Sequence, residues 1–103
     1  MIPEIDIVRA KKALDDKSAV FVDIRDPHSF GAAHIPGAIN VDDRTLPAFL
    51  TAADKQKTLI VYCYHGHSSL GGAAYFIEAG FADVYSMSGG FEAWRGVHPA
   101  EKG

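Results

Sequence analysis

The segment Thr58-Leu59-Ile60-Val61-Tyr62-Cys63, continued by Tyr64-His65-Gly66-His67-Ser68-Ser69-Leu70, decides how the chain folds. Its first half is an apolar, β-branched run of strand length, the pattern of a strand buried on both faces of a sheet. Its second half is polar and carries a glycine, the pattern of a tight turn. From Leu70 to Ala79 small and apolar residues continue at helix length until Gly80, a residue suited to ending a helix. A buried strand that passes through a short polar loop into a helix is the building unit of an α/β protein.

The same alternation extends to both sides. Upstream, Glu4 to Ile7 reads as a short weak strand. Val8 to Asp16 reads as a helix with Val8, Ala13 and Leu14 on one face and its charged residues wet. Ala19-Val20-Phe21-Val22-Asp23 is a second nearly continuous apolar strand. Arg25-Asp26-Pro27 turns the chain, and Pro27 suits the first position of a short helix towards Phe30. A loop at His34-Ile35-Pro36-Gly37, a strand at Ala38-Ile39-Asn40-Val41 and a helix from Thr45 to Ala52 follow. Downstream, Asp83 to Met87 is a strand, Gly89-Gly90 a turn and Phe91 to Arg95 the start of a last helix. Pro99 to Gly103 reads as a frayed tail. The expected fold is a central, mostly parallel sheet flanked by helices, as one domain over residues 1–103. Ligands of such sheets bind beyond the C-terminal strand ends, where Cys63 sits.

Composition narrows the function. With 48% apolar and 22% charged residues, the 103-residue chain can bury a core without metal or disulfide staples. A net charge of −3 lacks the basic excess of a nucleic-acid binder. No apolar run has bilayer length, so no membrane association is expected. Met1-Ile2-Pro3-Glu4 shows no signal-peptide pattern. The single cysteine cannot form an internal disulfide, which favours the reducing cytoplasm and a free thiol.

A lone cysteine is either core filler or a reactive group. The apolar run before Cys63 fits the first reading; the polar, glycine-containing loop after it fits the second, which we adopt. Backbone N–H groups at the start of a helix lack intrahelical partners, and the helix dipole adds positive charge there. Gly66 lets the loop curl so that these N–H groups converge as an anion nest. An ordinary thiol titrates near about 8.5; a sulfur held in such a nest ionises at lower pH. Ser68 and Ser69 can add hydroxyl donors, and the nest suits a persulfide or an incoming oxyanion equally.

Three motifs in order resemble the rhodanese family. Asp23-Ile24-Arg25-Asp26-Pro27-His28-Ser29-Phe30 with His34-Ile35-Pro36-Gly37-Ala38-Ile39-Asn40 resembles its first signature. Gly89-Gly90-Phe91-Glu92-Ala93-Trp94 resembles its second, and Cys63 falls at the place of its catalytic cysteine. The likeness is to the small single-domain bacterial thiosulfate sulfurtransferases of that family. It implies the family's three-layer α/β fold and a thiosulfate:cyanide sulfurtransferase activity with no cofactor. Sulfane sulfur would pass from thiosulfate to cyanide, a dithiol or a thioredoxin-like acceptor through a Cys63 persulfide, with release of sulfite. Substrate would be bound by Tyr64, His65, Gly66, His67, Ser68 and Ser69, with Asp23 and Arg25 supporting the site. This chain departs from that type at His67, where a small amide is usual, and at Leu70. Many relatives also carry an arginine within the loop, and this loop has none. Protonated histidine would then help to hold a dianion, and His67 is the better placed of the two.

Other readings are weaker. Cys63, His65 and His67 spell Cys-x-His-x-His, but structural zinc sites use wider paired spacings and a fourth ligand, so no metal is expected. A phosphatase on this fold needs an arginine six residues after the cysteine, where this chain has Ser69. Phe30 and Trp94 read as core, Tyr64 as a packing residue, and Gly89-Gly90 as a conformational turn. A sulfur-carrier or interaction module, without turnover on free thiosulfate, is the main alternative to the enzyme.

Overall fold

Strand β4 (Thr58–Tyr62) lies at the centre of a five-stranded sheet in the order β1-β5-β4-β2-β3, all neighbours parallel. The computed structural model describes residues 1–103. The other strands are β1 (Glu4–Ile5), β2 (Ala19–Asp23), β3 (Ile39–Asn40) and β5 (Val84–Met87). The helices are α1 (Ile7–Asp16), α2 (Pro27–Ala32), α3 (Leu46–Ala52), α4 (Ser68–Glu78) and α5 (Gly90–Arg95).

The apolar runs of β2 and β4 are continuous because both faces of the sheet are covered. Phe21, Ile60, Tyr62 and Met87 point to one face and pack with Ala10 of α1 and Phe91 and Trp94 of α5. Val22, Leu59, Val61 and Val84 point to the other and pack with Ala73 and Phe76 of α4, beside Leu46 and Phe49 of α3. Each large side chain so buried contributes about 1.5–3 kcal/mol. The alternation along β4 therefore fixes the register of the layer, since a one-residue slip would exchange the two cores.

Local chemistry sets the helix starts. Asp6 caps α1 by accepting from Arg9 N–H at 2.8 Å. Asp26 caps α2 by accepting from Ser29 N–H at 3.0 Å, with Pro27 at the first helical position. The helix starts one residue earlier than expected, at Ile7, and its inward face differs from the expected one: Ile7, Ala10, Ala13 and Leu14 turn inwards, whereas Val8 is 72% exposed. Helix α4 starts at Ser68, two residues before the expected Leu70, because serines are tolerated in a first turn whose N–H groups are free. Strands β1 and β3 are shorter than expected at both edges of the sheet.

The expected frayed tail is tied down. His34 and Glu101 exchange backbone hydrogen bonds of 2.8 and 2.9 Å, and Gly103 N–H donates to Gly31 O at 2.9 Å. The His34 ring also meets the Glu101 carboxylate at 3.2 Å. The indole of Trp94, fully buried, donates to Pro99 O at 2.9 Å. No local pattern announces the contacts of Glu101 and Gly103, since they join residues far apart in the chain. Deleting residues 99–103 should lower the unfolding free energy by about 2–4 kcal/mol, with several bonds lost and a buried indole N–H orphaned. Urea titration reads this as a lower midpoint; an unchanged midpoint would show that the tail contributes nothing.

Candidate active site

Strand β4 stops at Tyr62 and delivers Cys63 to the C-terminal edge of the sheet, between β2 and β5. The chain then curls through residues 64–67 into α4. Gly66 makes the curl at φ +91, and a Cβ there would lie 3.0 Å from Gly89 N and 3.4 Å from Met87 O. Both backbone conformation and space restrict the position to glycine.

The curl closes on the sulfur. Gly66 N–H and Ser69 N–H each donate to Cys63 Sγ at 3.2 Å, and Ser69 Oγ lies 3.4 Å from it. Cys63 is 6% exposed. Burial raises the thiol pKa, but the hydrogen bonds from the Ser69 hydroxyl and the N–H groups of Ser69, Gly66 and His65 outweigh it, so the thiol ionises below its ordinary range.

The loop is aimed from outside by α5. Phe91 N–H donates to Cys63 O at 2.8 Å and Glu92 N–H to Tyr64 O at 2.9 Å. With the Tyr64 carbonyl turned towards α5, the His65 N–H of the same peptide turns towards the sulfur. The approach is possible because Gly90, at φ +61, has no Cβ; one there would lie 2.7 Å from Cys63 O and overlap the Tyr64 carbonyl. The paired glycines thus set the close packing of α5 on the cysteine loop as well as the turn.

Asp23 and Arg25 form a buried ion pair beside this loop. Arg25 Nη2 meets Asp23 Oδ2 at 2.7 Å, and Arg25 N–H donates to Asp23 Oδ1 at 2.8 Å. The guanidinium also donates to Ala33 O at 2.7 Å and lies over the rings of Phe91 at 4.2 Å and Tyr64 at 5.0 Å. Burial lowers the Arg25 pKa, but Asp23 more than compensates and holds the guanidinium charged. Its Nε and Nη2 donors are taken up by Asp23 and Ala33 O, bracing β2 against the end of α2, while Nη1 makes no hydrogen bond within the protein. Asn40, which sequence reasoning did not single out, donates to the carbonyls of Asp23 and Arg25 at 3.0 and 2.9 Å and ties β3 to the same brace.

A cavity of about 240 Å³ opens over the sulfur, lined by Arg25, Asp26, Tyr64, His65, His67 and Ser68 together with Cys63 and Ile24. His65, His67 and Ser68 are exposed at its rim. Of the two serines expected to donate to the sulfur, only Ser69 reaches it; Ser68 lines the cavity. Tyr64 hydrogen-bonds through its hydroxyl to Ser29 Oγ and divides this cavity from a second one, which Arg25, His28, Phe91 and Arg95 help to line. Nowhere do three or more His, Cys, Asp or Glu side chains gather as metal ligands. No helix is long and apolar enough to cross a membrane.

The arrangement can hold a sulfur anion and admit a small anion to it. Its dependence on the loop backbone is testable. Gly66→Val puts a β-branched residue into the left-handed region and against Gly89, so the N–H groups lose their aim. The pH midpoint of Cys63 alkylation should lie below that of an ordinary thiol in the wild type and rise in the variant. Superimposable curves would mean that the nest does not activate the thiol.

Comparison with known proteins shows the family and the fold. Residues 6–96 match the family described as Rhodanese-like domain. The thiosulfate sulfurtransferase GlpE of Stutzerimonas stutzeri (strain A1501) is 53% identical over 89 residues, covering 86% of this chain and 82% of that protein. GlpE of Pseudomonas aeruginosa (strain LESB58) is 51% identical over 90 residues, covering 87% and 82%. The solution structure of the Rhodanese-like domain from the Anabaena sp. Alr3790 protein superposes with a TM-score of 0.87 at 24% identity, covering 99% of this chain and 80% of that one.

Proposed function

The chain belongs to the rhodanese-like domain family, and from that premise we propose that it is a thiosulfate sulfurtransferase acting through a persulfide on Cys63. The observation that carries the reading is the convergence of the Gly66 and Ser69 N–H groups on one buried sulfur at the end of the central strand. Two transfers follow from it. The Cys63 thiolate attacks the outer sulfur of thiosulfate; the sulfur–sulfur bond of the donor breaks and its electron pair leaves with sulfite. Cys63 then carries an additional sulfur whose negative charge the same donors offset. An acceptor nucleophile, cyanide or the thiolate of a dithiol, attacks that outer sulfur. The new bond takes the sulfur away as thiocyanate or a persulfide, and the thiolate returns. Neither step needs a cofactor.

The dianion is held without an arginine in the loop. Backbone N–H groups, the Ser68 hydroxyl and the rings of His65 and His67 line its approach, while Asp23 neutralises Arg25 nearby. The physiological acceptor in this reading is a dithiol protein of the thioredoxin-like kind, reached in the cytoplasm by a single domain spanning residues 1–103. The missing loop arginine also favours a second reading, a sulfur carrier loaded by a partner protein.

Intact-mass measurement separates the two. After incubation with thiosulfate and removal of small molecules, the enzyme gains one sulfur and loses it to cyanide as thiocyanate. Cys63→Ser should gain none while keeping its circular-dichroism spectrum, because a serine hydroxyl is not ionised near neutrality. Loading of that variant would contradict the assignment of Cys63; loading of the wild type only by a partner protein would favour the carrier.

His67 supplies a second prediction. Its ring stands at the cavity rim, placed to donate a hydrogen bond to the dianion. His67→Ala should raise the KM for thiosulfate several-fold with little change in kcat, the sign of a contact made in binding. A KM equal to the wild type's would show that His67 does not hold the anion.

A further inference from the structure

Strand β5 places a hydroxyl where its face should be apolar. Val84 and Ser86 point to the α4 side of the sheet, and Ser86 is fully buried there. A buried hydroxyl without a partner is costly. Ser86 Oγ has one, Ser69 Oγ at 2.7 Å, and either oxygen can be the donor. Ser69, also fully buried, is the residue whose hydroxyl lies 3.4 Å from Cys63 Sγ. Three atoms thus form a file, Ser86 Oγ, Ser69 Oγ and Cys63 Sγ, with both hydroxyls fully buried and the sulfur at the cavity end.

The two hydroxyl protons can be arranged in two directions. A thiol can donate its S–H to Ser69, with Ser69 donating to Ser86. An anionic sulfur has no hydrogen to give: Ser86 then donates to Ser69 and Ser69 donates to the sulfur. A charged sulfur accepts that hydrogen more strongly than a thiol does, so the second direction is the one an anion favours. We propose that Ser86 is a positioning residue, which acts through Ser69 to aim a hydroxyl hydrogen at Cys63 whenever its sulfur, or the persulfide formed on it, is anionic. This rests on the reading of Cys63 as the sulfur carrier.

Other groups around the sulfur keep their places when Ser86 is changed. The cysteine loop brings Tyr64, His65 and His67, and the turn after β2 brings Arg25 and Asp26, with Asp23 behind Arg25. Tyr85, the titratable residue of β5, packs on the opposite face of the sheet. A change at Ser86 thus reaches the cysteine through the hydroxyl file and not through an altered charge.

The test is the pH dependence of Cys63 alkylation, with Ser86→Ala as the principal variant. Its midpoint should move up, so that alkylation at pH 6 slows by about three- to tenfold, the effect of one hydrogen bond. The pair Ser86→Thr and Ser86→Val, alike in shape, repeats the comparison if the alanine variant folds poorly: threonine should keep the wild-type midpoint and valine should raise it. In a Ser69→Ala background, Ser86→Ala should add nothing. Equal midpoints for wild type and Ser86→Ala, or for the threonine and valine variants, would overturn the role of Ser86. Sulfur loading of the wild type by thiosulfate, measured alongside, reports on Cys63 separately. Loading without a Ser86 shift refutes only the hydroxyl file. A Ser86 shift without loading supports the file and refutes the transferase reading.

Discussion

The site depends on the docking of α5 against the carbonyls of the cysteine loop. Phe91 and Glu92 use N–H groups left free at the helix start to hold Cys63 O and Tyr64 O. With the Tyr64 carbonyl drawn outwards, the His65 N–H at the other end of that peptide turns towards the sulfur. Gly90 allows the contact, since a Cβ would overlap the loop backbone, and Gly66 completes the curl against Gly89. Two helices, α4 and α5, thus serve one atom. The first supplies donors to the sulfur, and the second orients the loop that presents them.

The ion pair of Asp23 and Arg25 extends this frame to the other side of the cavity. A buried charge alone would be strongly unfavourable, and a pair is tolerated when its remaining donors and acceptors are met. Here Ala33 O takes one Nη2 hydrogen and three aromatic rings lie around the plane. The pair is a rigid strut, and its guanidinium, with Nη1 unpaired, also lines the cavity over the sulfur. An incoming dianion meets backbone N–H groups, the rim side chains and this braced cation, which is a different solution from placing an arginine in the loop.

The sequence displays what local patterning controls. The β-branched run ending at Cys63, the Asp26-Pro27 helix start and the glycine pair before α5 are each legible because neighbours in the chain determine them. The cysteine is legible for a further reason, since an apolar strand that ends in a polar glycine loop is an unusual setting for core filler. What is not legible depends on partners distant in sequence. Ser86 looks like one polar residue in a strand until β5 brings it beside Ser69. Asn40 gains its meaning from Asp23 and Arg25. The tail finds His34 across the molecule, and Val8 turns outwards because the stripe of Ile7, Ala10 and Leu14 takes the face of α1 that packs on the sheet. The resemblance to rhodaneses supplied the chemistry that patterning alone left between core filler and nucleophile.

The central claim is that hydrogen bonds within the folded loop, from the Ser69 hydroxyl and the N–H groups of Ser69, Gly66 and His65, rather than any neighbouring cation, stabilise an anionic sulfur on Cys63. The most direct measurement is the ultraviolet absorbance of the thiolate as a function of pH, recorded for the native protein and for the protein unfolded in guanidinium chloride at matched ionic strength. The single cysteine makes the assignment unambiguous once the tyrosine signal is subtracted with Cys63→Ser. The account predicts a native midpoint well below the unfolded one, which lies near about 8.5, and a gap that persists at high salt because hydrogen bonds hold the anion. A native midpoint equal to or above the unfolded value would contradict it.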